Sequence, residues 1–297
     1  MARMVLLPDL ARSWTGGRRV ERVAYAVGAV LLLAGVVHFG VFLVDGGPWE
    51  GPVSWRKPTT FGLSFGLTLI TVTWVSARVR MGDRARRTAV GLLTAASVVE
   101  VALISAQAWR RVPSHFNSTS GADRAISLTL AAGGAAIVVS AAVLLVAAFR
   151  KDAVDAPDMR LAVRAGLVLF VVALAVGAAM IARGTIAVRS GDPGHTTAGV
   201  LKLAHAVAMH AILVLPALSW LLAFTRWTPL ARLRVVQLAL VGHLVLTVVV
   251  GVESAVGVNP LEAPAVADVG AGLGLFLLGV AVLLACYGVR RFPRRDI

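Results

Sequence analysis

The chain has 297 residues, a mean hydropathy of +0.82, 58% hydrophobic and 15% charged residues, and a formal charge of +14. That composition excludes a soluble globular domain, in which about 25% of residues are charged. The positive charge does not point to a nucleic-acid partner either, because the basic residues are sorted by loop in the way that sets membrane topology.

A hydrocarbon layer about 30 Å thick takes about 20 apolar residues wound as helix. Eight runs reach that length, at 22–44, 58–77, 88–109, 125–149, 161–182, 200–224, 235–252 and 269–289. Backbone in lipid has to satisfy its own hydrogen bonds, and these runs lack the alternation of barrel strands, so each is expected to be a helix. The expected fold is all-α, a polytopic membrane bundle of eight helices. Residues 1–21 form a cytoplasmic segment, 22–289 the transmembrane domain and 290–297 a basic tail. The first run is longer than a secretory apolar region and no small-residue cleavage pattern follows it, so it reads as a retained span.

Of 29 basic residues, 21 lie before the first run, after runs two, four and six, and after run eight. The positive-inside rule then puts both termini in the cytoplasm. Arginine outnumbers lysine 26 to 3 amid many Ala, Val and Gly, which suggests a GC-rich bacterial genome and hence the bacterial cytoplasmic membrane. Trp49, Trp55 and Trp109 are expected at the outer interface, and Trp74, Trp220 and Trp227 at the inner one. The lone cysteine, Cys286, allows no intrachain disulfide. Asn117-Ser118-Thr119 matches a glycosylation acceptor that carries no meaning in a bacterial loop.

A faint repeat runs through the chain. Lys57 and Trp74 bracket run two as Lys202 and Trp220 bracket run six, and Arg87 and Arg234 precede the runs that follow, at offsets of 145, 146 and 147 residues. Two four-helix halves related by a twofold along the membrane normal would produce this spacing, as would interface chemistry common to all spans.

In chain order the polar residues within or beside the runs begin with His38, in the outer part of run one. Run three carries Glu100, the only acidic residue deep within a span, where a charge costs about 2.5–3.5 kcal/mol. Helical spacing lines Glu100 up with Ile104, Gln107 and Arg111, a stripe leading to the loop Ser114-His115-Phe116-Asn117. Run six holds Lys202 at the outer interface, His205 about one turn in and His210 near mid-depth, with Pro216 below them as a candidate kink. His243 lies near the middle of run seven, and His195 in an outward loop. His205 and His210 are five residues apart and so are turned well away from each other on one helix. A shared metal would need Glu100 and His115 from another helix, a donor set suited to zinc or iron. Bis-histidine haem would instead pair His38 or His243 with a histidine of run six. Hydrogen bonding within the bundle accounts for any single histidine equally well. Gly62-x-x-x-Gly66 and the run 131–136 read as close helix packing, and Lys202 and Arg164 as interface anchors.

KPTTFGLSF at 57–65, Glu100 with Gln107 and SHFN at 114–117, and HAVAMHAILVLP at 205–216 together resemble an uncharacterised family of bacterial multi-span integral membrane proteins. The likeness covers about half of the chain and implies no activity.

The expected function is a membrane enzyme or redox protein with an outward-facing site. Glu100, Gln107 and Asn117 would be its catalytic residues, and His115, His205, His210 and Glu100 would hold a divalent metal, with haem as the other cofactor. Its expected partners are the lipid bilayer and a lipid-soluble or anionic small molecule from the outer side, with no nucleic acid. A proton- or cation-coupled transporter and a sensor or assembly partner are the alternatives.

Overall fold

The computed structural model describes residues 8, 11–12, 14–51, 53–190, 199–259 and 264–291, without the side chains at 188 and 189. His195, Arg3, Arg294 and Arg295 lie outside the described residues. The described residues hold eight α-helices that fall on the eight apolar runs. They are α1 (Arg19–Asp45), α2 (Arg56–Ala77), α3 (Asp83–Trp109), α4 (Gly121–Phe149), α5 (Pro157–Arg189), α6 (Leu201–Ala223), α7 (Pro229–Ala255) and α8 (Ala265–Arg291). Each is long and apolar enough to cross a membrane.

Several helices begin before their apolar run, because polar residues cap them. Ser120 accepts a hydrogen bond from the Asp123 amide at the start of α4, and Thr228 accepts one from Ala231 at the start of α7, with Pro229 in the first turn. Glu21 accepts from the Arg18 amide at 2.7 Å and opens α1 in the same way. Pro216 sits within α6 without ending it.

Eight helices of alternating direction bring the start of α1 and the end of α8 to one face, called here the terminal face. The connections after α1, α3, α5 and α7 lie on the opposite face. Packing divides the bundle into two halves with one pattern. In α1–α4 the first helix lies along the second, the third along the fourth, and the first also touches the third; α5–α8 repeat each of these contacts. Absent side chains make the closest contacts possible. A Cβ on Gly62 of α2 would stand 2.7 Å from the backbone of Gly35 in α1, and one on Gly242 of α7 would stand 2.7 Å from the Gly274 carbonyl in α8. One apolar core runs through α1–α4 and reaches α5 and α6, and a second fills α5–α8.

Helix α4 against α5, and α2 against α6, join the halves. Along α2 and α6, residues 145 or 146 positions apart in sequence meet their own counterparts. The Lys57 and Lys202 charges act on each other at the opposite face. Ser64 reaches the Met209 sulfur at 3.9 Å in the middle, and the Trp74 and Trp220 rings stand edge to face at 6.2 Å near the terminal face. An ion pair repeats as well: Glu21 of α1 with Arg86 of α3 at 3.6 Å, and Asp158 of α5 with Arg232 of α7 at 3.9 Å.

Candidate functional site

The expected metal set does not come together. Glu100 is buried, and its carboxylate lies over Gly133 of α4, 2.8 Å from where a Cβ would be. His205 turns the other way. Its Nδ1–H donates to the Ala173 carbonyl of α5 at 2.7 Å, and its ring rests on Gly177. His210 donates from Nδ1 to Ala206 on its own helix at 2.6 Å and is exposed on α6. Helix α3 packs on α1, α2 and α4, whereas α6 packs on α5, α7, α8 and α2. The carboxylate of α3 thus rests on α4, and the His205 ring of α6 on α5. Among the described residues no three of His, Cys, Asp and Glu are grouped as metal ligands would be.

Gln107 and Asn117 have structural partners. Gln107 is fully buried; its amide donates to Asp123 at 3.0 Å and to the Pro113 carbonyl at 3.3 Å, and its oxygen accepts from Arg110. Asn117 accepts from the Thr119 amide and hydroxyl, and its carbonyl accepts from Ser127. These bonds engage the Gln107 amide and the Asn117 side-chain oxygen, and they fix the loop between α3 and α4. Asp123, which the sequence pattern did not single out, is the hub: it also pairs with Arg110 at 2.8 Å and accepts from Ser120 at 2.7 Å.

That loop reaches across the seam between the halves. Phe116 has φ +61°, a left-handed conformation that a bulky residue rarely adopts. Its ring lodges on Gly184 of α5, where a Cβ would stand 2.6 Å away. The preceding His115 faces Phe61 of α2, with ring centroids 6.0 Å apart, and shares a hydrogen bond of 3.0 Å with Ser114. Burial, and secondarily the Lys57 charge, lowers the His115 pKa from 6.5 to about 4, so the ring is neutral at physiological pH. Beside it, Glu50 pairs with Arg56 at 3.2 Å and with Lys202 at 3.1 Å, and its charge acts on Lys57. His115 and Lys57 from the first half thus stand with Lys202 from the second at the mouth of the α2–α6 seam. Lys202 is therefore more than an interface anchor.

The other histidines are largely explained by hydrogen bonds. His38 donates to Ala34 at 2.7 Å and accepts from Trp109 at 3.2 Å, so both ring nitrogens are engaged. Trp55, expected at the interface, is buried at 4% exposure beneath Arg111, with its indole N–H on Asp45. His243 is buried and donates from Nε2 to Val207 at 2.9 Å, while its Nδ1 has no partner. His210 shares α6 with His205 and with Val207, the residue to which His243 of α7 donates. No family model, curated protein or solved structure matches the chain.

Proposed function

We propose that the chain is a multi-pass protein of the bacterial cytoplasmic membrane, with both termini in the cytoplasm. Its working site opens outward at the seam between the two halves and takes an anionic or membrane-soluble small molecule. The observation that carries this reading is the Ser114–Asn117 loop, held strained across the seam so that His115 stands beside Lys57 and Lys202. The Lys57 and Lys202 ammonium groups, the second paired with Glu50, draw an anion to this end of the seam, and the uncharged imidazole next to them accepts a proton or binds a metal. Lys57→Gln and Lys202→Gln are expected to weaken capture of such a substrate by about tenfold each, which one lost charge contact of about 1.4 kcal/mol would produce. Unchanged uptake or turnover in both variants would remove the site from this seam.

The metal or haem expectation is carried by the ring nitrogens that face no protein donor, Nε2 of His205 and Nε2 of His210. Metal analysis and a visible spectrum of protein purified in mild detergent decide it. A stoichiometric metal or a Soret band supports an enzyme or redox protein. A colourless, metal-free preparation leaves proton-coupled transport, which the twofold arrangement of halves and the His205–His210–His243 group favour.

A further inference from the structure

Helix α6 packs on α2, α5, α7 and α8, and only His210 and Ala217 along it are exposed. Seven residues apart, they lie on one line along the helix. His210 is about 14 Å from the start of a helix about 35 Å long, so it faces the lipid near mid-depth. It projects about 100° round from Met209, which meets Ser64 and Thr68 of α2, and about 140° from His205, which meets α5. On α2, parallel to α6, the exposed Leu67 is turned the opposite way, about 60° from Ser64 and about 100° from Thr68. Opposite turns on two facing parallel helices open to the same side of the seam. The result is a strip of α6 one residue wide, bordered on α2 by Leu63 and Leu67.

The bonding of the histidine fixes what this strip can hold. Nδ1 donates to the Ala206 carbonyl at 2.6 Å, so the uncharged ring presents Nε2 as an acceptor, and no group among the described residues donates to it. An acceptor left facing acyl chains costs free energy, and lipid tails carry no donor. A partner helix needs an apolar stripe about 100° wide, which α6 with its covered sides does not offer. A metal needs several ligands, and among the described residues no three of His, Cys, Asp and Glu are grouped. A slim apolar molecule with one hydroxyl meets both demands. Its O–H pairs with Nε2, and its body lies over Ala217, where a methyl side chain leaves room.

We infer that this strip is a lipid-side slot for a membrane-soluble hydroxyl compound, whose O–H donates to His210 Nε2 while its apolar body lies along α6 over Ala217. The slot is separate from the outward mouth: Lys57, Lys202 and His115 can fail as a substrate site without changing what His210 binds. The test uses the full chain in phosphatidylcholine nanodiscs, with tritiated farnesol as an isoprenoid alcohol and 2-naphthol as a phenol. Farnesyl methyl ether keeps the farnesol body but has no donor. Farnesol or 2-naphthol is expected to shift the ¹⁵N resonance of His210 Nε2 to saturation, and the ether to leave it in place. His210→Leu is expected to weaken farnesol binding by about fivefold, and His210→Gln, which keeps an acceptor there, to weaken it less. Ala217→Leu leaves the histidine intact but fills the strip, so it too should weaken binding. Val248→Phe adds bulk at an exposed position on α7 and should leave it unchanged. A response to farnesol alone or to 2-naphthol alone supports the slot and names alcohol or phenol as its ligand. Equal binding of the ether, wild-type binding by His210→Leu or Ala217→Leu, or an equal loss in Val248→Phe would overturn the inference. So would zinc that takes Nε2 at stoichiometric concentration and excludes both hydroxyl compounds, which would give the position to a metal.

Discussion

Glu100 lies over Gly133 and forms no ion pair or hydrogen bond among the described residues. In the second half Leu246, 146 positions after Glu100, lies against Gly274 of α8, an apolar residue over a glycine. Helix packing therefore does not require an acid at this position. Glu100→Leu is expected to stabilise the bundle by about 1–3 kcal/mol, the order of the cost of a polar group at that depth, as read from unfolding in detergent. A fall in stability would mean that the carboxyl makes a structural bond. His115 leads to a pH effect. Its pKa in the fold, about 4, lies below the ordinary 6.5, so between those values the unfolded chain binds a proton that the folded site refuses. Stability is full above about pH 6.5 and falls toward pH 4, by at most about 1.4 kcal/mol per pH unit. His115→Asn should flatten this part of the melting-temperature profile. An unchanged slope would place the titration elsewhere.

At the scale of the helix, glycine position decides the cost of substitution. A Cβ at Gly62 meets the backbone of α1, which cannot move aside, whereas one at Gly91 meets nothing within 4 Å. Gly62→Ala is expected to destabilise by about 1–3 kcal/mol. Gly91→Ala should be neutral or stabilise by up to about 1 kcal/mol through helix propensity. Thermal unfolding of the two variants side by side checks the contrast. The Gly62-x-x-x-Gly66 spacing announced this contact, because small residues one turn apart leave a groove wherever a helix is apolar on both sides. The loop at 114–117 was legible only as a cluster of polar residue types. That Gln107 and Asn117 hold it depends on how the turn folds Arg110, Thr119 and Asp123, all within 16 residues, back onto them.

Across the whole molecule, the halves share a plan but not its energetics. Glu21→Gln strands Arg86, whose side chain is 3% exposed, and is expected to cost about 3 kcal/mol or more, as losing one partner of a buried pair does. Asp158→Asn leaves Arg232, 14% exposed, beside a hollow that admits water, and is expected to cost nearer 1 kcal/mol. Equal losses in chemical unfolding would mean that both pairs are equally enclosed.

The eight helices and the fold class follow from the sequence, because an apolar run of membrane length has no alternative to a helix that bonds to itself. That constraint is local, and it acts on each run separately. Which polar groups face one another is set by how each helix is rotated and which helix comes between. Only the packed bundle set Glu100 over Gly133 of α4 and His205 over Gly177 of α5, brought Lys57 to Lys202, and gave Arg86 two carbonyl partners while Arg232 faces Asp158 at 3.9 Å. Helix rotation depends on contacts between residues on different helices, from a few tens of positions apart to the 145 that separate Lys57 from Lys202, and no local pattern encodes it.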